Sequence, residues 1–379
     1  MRFATFNVEN LFDRAKVFNE TPPGAANPHQ DIIDAVGELN GLFEQPNYTD
    51  NRKARMLELF DTLGLLNSNE SSFALLRRIR GKIIHRFQNG NREIVADGRV
   101  DWIGWVELKT EAVDEVAMEL TARVIFDSNA DVIGVVEAEN RIVLQRFQKM
   151  MADKFGVDEK YPHLMLIDGN DTRGIDVGLA TGPGIPIGKK LSHVDERRDG
   201  KTVFSRDCPE FEITTPQGNQ VLIMVNHFKS KYGNQTRSNA RRKQQAEVVA
   251  EYYNARIAAG VENIIIMGDL NDRPGSAPLK PLLDTSLQDG SEHPSSTDFA
   301  FNANNGNTGI GTYDLGNDKD KIDYLLVSPN LFGKITNGGL FRKGAWPGVQ
   351  PPRWDVYPEL TRREHAASDH HLIFADIDI

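Results

Sequence analysis

The chain has a single cysteine, Cys208, among 379 residues. That excludes an intramolecular disulfide and fits a reducing compartment, so a cytoplasmic location is expected; a removed leader would leave the same pattern. No apolar run approaches the roughly 20 residues needed to cross a bilayer, so no membrane span is expected. The first residues, MRFATFNVEN, alternate like a strand and lack the apolar segment of a secretory leader. No repeat of fixed period and no low-complexity segment interrupts the chain. Positive charge is also scarce overall, with 44 Lys and Arg against 54 Asp and Glu and a net charge of -10. Broad electrostatic adhesion to nucleic acid is thereby disfavoured.

What basic charge there is comes in blocks. Residues 229–243, KSKYGNQTRSNARRK, and residues 73–92 contain no acid, and each carries six Lys or Arg. Either block can follow a phosphate backbone, although a solvated face explains the second equally well. Composition, at 39% hydrophobic residues, describes a globular protein. We expect one domain over residues 1–379, with an insertion at about 68–110.

The most informative stretch is 263–271, Asn-Ile-Ile-Ile-Met-Gly-Asp-Leu-Asn. Its β-branched run is too short for a helix and stops at Gly268, which predicts a buried strand ending in a turn. Asp269 and Asn271 then project from a rigid support, one a base or metal ligand, the other a neutral donor. An Asx turn closing a strand would read the same way. Apolar alternation predicts further strands at 3–8, 131–136, 164–167, 177–181, 185–191, 211–215, 221–225, 322–327, 335–340 and 372–377. Helices are expected at 52–66, 111–126, 141–155 and 239–258, whereas 13–50 reads as irregular loop and Gly98 as a hairpin turn. Strands and helices in both halves suggest two packed sheets with helices outside, an α/β class.

Polar residues recur where these strands give way to turns: Asn7 and Glu9, Glu137 and Glu139, Asp176, Asn226 and His227, Asp269 and Asn271, Asp323, and Asp369 and His370. Brought to one rim, so many carboxylates cannot all ionise without a cation. Hard oxygen donors select Mg²⁺ or Mn²⁺ over Zn²⁺, with Glu137 and Glu9 the preferred ligands. A carboxylate adjacent in sequence rarely pairs with an imidazole, so Asp323 is the expected orienting acid for His370. For His371 a surface position at a strand start is expected.

The ordered segments FNVENLF, DVIGVVEAEN, RGIDVGL, VNHFKSK, GDLNDRP, KIDYLLVSP and SDHH resemble the endonuclease/exonuclease/phosphatase superfamily from end to end. The resemblance implies a four-layered α/β sandwich, two packed mixed β-sheets flanked by helices, and in-line attack of water on phosphorus at one divalent metal site. It implies Glu137 as principal ligand, with Asn7 and Glu9 in the same shell and Asp369 near the metal. Asp269 is implied to position or deprotonate the water, Asn271 and His227 to hold phosphate oxygens, and His370 to act as acid/base or stabilise the pentacovalent state, oriented by Asp323. Val136 stands before Glu137 where many relatives carry glutamine.

The favoured reading is a Mg²⁺ or Mn²⁺ dependent nuclease acting on DNA, with Arg173, Asn226, Lys229, Lys231 and Arg241 on the substrate side and Arg206 as a lesser candidate. Two other readings stand beside it. One is hydrolysis of a small phosphoester such as a phospholipid head group, an inositol phosphate or a cyclic nucleotide; the other is a non-catalytic binding protein on the same scaffold.

Overall fold

In the computed structural model, which describes residues 1–9, 11, 13–15, 29–112, 114–156, 160–171, 174–231, 234–299, 309–349 and 352–379, the apolar runs 132–136 and 264–266 lie inside two different sheets. The first sheet has seven strands, in the order Ser296–Asp298, Ile335–Phe341, Leu372–Ile377, Arg2–Asn7, Val132–Ala138, Asp176–Thr181 and His163–Ile167. The second has six, in the order Ile187–Leu191, Glu210–Thr214, Gln220–His227, Ile264–Asp269, Asp323–Val327 and Gln288–Asp289. Both are mixed. Arg2–Asn7 runs parallel to Val132–Ala138, and Gln220–His227 parallel to Ile264–Asp269, while most remaining pairs are antiparallel.

Strand alternation assigns the faces. Phe3, Val132 and Val136 of one sheet meet Val221, Ile223, Val225, Ile265, Met267, Leu325 and Val327 of the other in the core between the sheets. The intervening residues point outward. Ala4, Phe6, Ile133 and Val135 pack with the helices Glu115–Asp127 and Arg141–Phe155, and Leu222, Met224, Ile264 and Ile266 pack with the helix Gln235–Ala258. The result is helix, sheet, sheet, helix: the four-layered α/β sandwich.

These layers belong to one of two compact units, Met1–Phe12 with Val113–Ile379; the other is Asp13–Ala112. The second unit is broader than the insertion expected at 68–110. Its described residues form two helices and three two-stranded ribbons around their own core of Val36, Leu39, Phe43, Phe60, Trp102 and Val106. Its first helix, Gln30–Phe43, replaces the loop expected over 13–50. The apolar stripe Ala35, Val36, Leu39 and Phe43 has helical spacing, and Gly37, Asn40 and Gly41 concealed it. Gly98 is not a hairpin turn: a Cβ there would lie 1.9 Å from the Pro46 carbonyl oxygen, so the glycine permits a close backbone approach.

Helix starts moved to the best cap. Asp114 caps Glu115–Asp127 through Val116 N at 2.8 Å, and Asn234 caps Gln235–Ala258 through Arg237 N at 3.1 Å, four residues before the expected start at 239. Gly134 marks a close approach of the two sheets, since a Cβ there would sit 2.5 Å from Met267 Sδ. Gly134→Val should therefore destabilise the fold by about 1–3 kcal/mol through overpacking. An unchanged midpoint in urea unfolding would contradict that placement of Met267.

Candidate active site

At one end of the inter-sheet core the inward-facing residues turn polar. His227 continues the face of Val221, Ile223 and Val225; Asp269 continues that of Ile265 and Met267; Asp323 begins that of Leu325 and Val327. Register sets them side by side, His227 opposite Asp269 and Asp269 opposite Asp323. From the first sheet Asn7 arrives at the end of Arg2–Asn7, and Glu137 near the end of Val132–Ala138. Simple alternation would send Glu137 the other way. Asp176 pairs with Ala138 and Val177 with Val136, so Glu137 is the extra residue of a β-bulge, with φ at 65°. The bulge re-aims its side chain.

His370 and Asp323 form a close ionisable pair, Nδ1 to Oδ2 at 2.8 Å. Ser368 Oγ donates to the Asn7 carbonyl at 2.7 Å and accepts from His370 N at 3.0 Å, fixing the imidazole to the first sheet's central strand. Thr312 Oγ1 accepts from Asp323 N at 2.9 Å. Sequence reasoning passed over both hydroxyls. The short Ser368 to His370 spacing, a local side-chain to backbone bond, was the available signal for one of them.

The second imidazole nitrogen faces the interior. His370 Nε2 lies 3.4 Å from Asn7 Nδ2, 3.8 Å from Asp369 Oδ1 and 3.9 Å from Asp269 Oδ2. His227 Nε2 stands between Glu137 Oε1 at 3.5 Å and Asp269 Oδ2 at 3.6 Å. Glu9 Oε2 accepts from Asp369 N at 3.0 Å, and Asn7 Oδ1 accepts from Glu9 N at 3.1 Å. Asn7, Glu9, Glu137, His227, Asp269, Asp323, Asp369 and His370 are thus linked in one cluster.

Asn271, which the resemblance implies as a holder of phosphate oxygens, bonds within its own turn. Its backbone N donates to Asp269 Oδ1 at 2.8 Å, and its amide Nδ2 donates to Asp269 Oδ2 at 3.0 Å and to the Phe228 carbonyl at 3.1 Å. Both amide hydrogens are committed, so Asn271 orients Asp269. The Asx turn expected at the end of this strand is present at Asp269 and Asn271.

Charge follows from burial. Desolvation pushes the Asp269 carboxyl up, and Asp323 and Glu137 push it further against the opposing pull of His370 and the Asn271 amide. For His370 burial acts downward, but Asp323, Asp269 and Asp369 outweigh it and hold the imidazole well above its ordinary value. His371 behaves oppositely. It is buried rather than on the surface, 2.5 Å from Arg342 Nη1, and burial plus that guanidinium push it well below the ordinary value.

Carboxylate crowding is itself a test for a cation. Among the described residues, Asp269, Asp323 and His370 offer ligand atoms all within 4.8 Å of one another and could hold a metal ion. The 2.8 Å bond makes His370 and Asp323 a proton-sharing pair first.

The expected substrate side is reshaped. Asn226 is fully buried and faces away with Leu222 and Met224. Arg206, 2% exposed, is bonded to Asp171 and the Phe228 carbonyl. Arg242, also buried, pairs with Asp272 and donates to the Lys229 carbonyl, so part of the basic block holds the fold together. Arg241 is half-buried, Lys229 is anchored by its backbone N to Gln245, and Lys231 is exposed with its Nζ 3.4 Å from Asp272. Arg173 lies outside the described residues.

Residues 88–343 match the model of the Endonuclease/Exonuclease/phosphatase family, more than half of the chain. No curated protein matches the chain in sequence. Similar solved structures include the mannosyl-6-phosphatase of Bacteroides thetaiotaomicron, at 15% identity and TM-score 0.48, covering 70% of this chain and 92% of that one. The human Nocturnin catalytic domain with bound sulfate is 15% identical at TM-score 0.48, covering 71% and 88%. Truncated TDP2 of Caenorhabditis elegans is 16% identical at TM-score 0.43, covering 69% and 90%.

Titration of the imidazoles by NMR checks the electrostatics. His370 should remain protonated through neutral pH, and Asp323→Asn should bring it down. Because its folded value is raised, the charged imidazole's contribution to stability is fully present below about pH 6.5 and lost as pH rises through the folded value. The stability difference between wild type and Asp323→Asn should narrow over that interval. An imidazole that titrates at its ordinary value in wild type would refute the assignment.

Proposed function

Because the chain belongs to the endonuclease/exonuclease/phosphatase family, whose enzymes hydrolyse phosphoesters, we propose that it is a Mg²⁺ or Mn²⁺ dependent phosphodiesterase, and specifically a nuclease that cleaves DNA. The observation that carries this reading is the His370–Asp323 pair at 2.8 Å, with its other ring nitrogen turned toward Asp269 and Asn7.

Asp269 takes a proton from the attacking water or holds it in line with phosphorus. Asn271 fixes the plane of that carboxylate by its two bonds. His227, between Glu137 and Asp269, presents its ring nitrogen to a phosphoryl oxygen. Protonated His370 gives a hydrogen bond to the charge that grows on the phosphoryl group, and Asp323 keeps the ring charged and fixes its orientation. Glu137, Glu9 and Asn7, with Asp369 nearby, would hold the cation. A bound divalent ion neutralises phosphoryl oxygens and lowers the pKa of water, and its charge also favours the ionised form of Asp269.

Support for a polynucleotide comes from the basic residues that remain exposed. Lys231 and Arg237 stand just beyond His227, at and before the first turn of the helix Gln235–Ala258, where the helix dipole also favours anions. Neutralising both should weaken plasmid cleavage and flatten its salt dependence, yet leave turnover of bis-p-nitrophenyl phosphate nearly unchanged. Equal losses on both substrates would remove the DNA assignment.

Supercoiled plasmid and bis-p-nitrophenyl phosphate, each with Mg²⁺, Mn²⁺ or EDTA, test the reaction. Asp269→Asn and His370→Ala should each lower metal-dependent turnover by about 10²–10⁴-fold with the fold retained. Turnover of the small diester alone would move the substrate class to small phosphoesters, and full activity of His370→Ala would overturn the mechanism.

A further inference from the structure

The catalytic reading leaves the buried cation Arg206 without a role. Arg206 was expected to meet substrate, and instead its Nη1 donates to Asp171 Oδ2 at 2.9 Å while its Nη2 donates to the Phe228 carbonyl at 2.6 Å. Asp171 belongs to the connection between His163–Ile167 and Asp176–Thr181 of the first sheet. Phe228 directly follows His227 at the end of a second-sheet strand. A single guanidinium therefore spans the two sheets at the rim of the site.

The bond does not stop at Phe228. The same carbonyl accepts from Asn271 Nδ2 at 3.1 Å, and Phe228 N donates to the Asp269 carbonyl at 2.9 Å. Asn271 in turn holds both carboxylate oxygens of Asp269. Its φ of 54° is sparsely populated for a residue with a side chain, so the turn needs restraint from outside. Arg206 is well placed to give it. Asn170 N donates to the Ser205 carbonyl at 2.6 Å, and a Cβ on Gly169 would lie 2.8 Å from Arg206 Cα, so the backbone under the guanidinium has no room to drift.

We propose that Arg206 is a positioning residue for the hydrolysis: acting through the Phe228 carbonyl and the Asn271 amide, it fixes the orientation of the Asp269 carboxylate, and Asp171 fixes Arg206. This rests on the phosphodiesterase reading of the site. A planar fork can meet a carbonyl and a carboxylate together, which a lysine ammonium on its flexible stem does less well.

Kinetics on bis-p-nitrophenyl phosphate with Mn²⁺ should compare wild type, Arg206→Met, Arg206→Lys and Asp171→Asn. Removing an orienting partner of this kind should lower kcat by about 10–100-fold. The KM should stay within about threefold because Arg206 touches no substrate, with Lys restoring part of the loss and Asp171→Asn showing a smaller one. A raised KM with intact kcat would make Arg206 a substrate contact, and unchanged kinetics in a folded Arg206→Met would overturn the proposal.

Hydrogen exchange of the full chain supplies a readout that does not depend on turnover. The amides around Phe228 and Asn271 should lose protection in Arg206→Met, or in Asp171→Asn if the first variant fails to fold. Uniform change across the chain would refute the strap. Should wild type hydrolyse no phosphoester, the phosphodiesterase reading fails, while exchange still decides whether Arg206 holds the Asp269 turn.

Discussion

Two sheets can close face to face only if the ionisable groups at the polar end of their shared core compensate one another, as His370 and Asp323 do at 2.8 Å. Asp269 and Asp323 are almost wholly buried, and an isolated buried carboxylate would take up a proton rather than remain charged. An imidazolium between them lowers that cost. The same arrangement that lets the core end in carboxylates also leaves a protonated donor facing the space above them. Stability and chemistry draw on one pair.

Around that pair the backbone is strained. Of the six described non-glycine residues with positive φ, Glu9 and Glu137 belong to the cluster and Asn271 is bonded to its Asp269. Such conformations cost of order 1–3 kcal/mol each and persist only where neighbours over-determine them. Here the neighbours can be named: the bulge against Asp176 for Glu137, the Asn7 side chain for Glu9, and the Phe228 carbonyl with Asp269 for Asn271. Gly268 allows the last turn to form, since any Cβ there would lie 2.0 Å from the Asn226 carbonyl oxygen. The glycine of the Gly-Asp-Leu-Asn turn is a packing requirement.

Much of this was legible in the residues. Period-two alternation located the central strands, because apolar faces on both sides of a buried sheet leave continuous β-branched runs such as 264–266. The pairing of His370 with Asp323, 47 residues apart, followed from the argument that adjacent Asp369 could not orient the ring, and the fold brings the two together. Three features escaped for identifiable reasons. Glycine and asparagine masked the helix Gln30–Phe43; strand alternation alone points Glu137 the wrong way, since a bulge depends on the partner strand; and a run of basic residues does not reveal which are solvated. Arg206 and Arg242 read as phosphate ligands, but both are buried in bonds to a carboxylate and a carbonyl. His371, next to His370, was similarly misplaced because its partner Arg342 comes from a distant strand end.

In the proposed reaction a water molecule, held by the strand-end cluster, attacks phosphorus. Turnover of a phosphodiester in ¹⁸O-labelled water, followed by ³¹P NMR of the product, addresses it directly. The account requires one labelled oxygen bonded to phosphorus per cleavage, with no such product from Asp269→Asn. Label recovered in the alcohol fragment, or cleavage that persists with unlabelled phosphate, would contradict it.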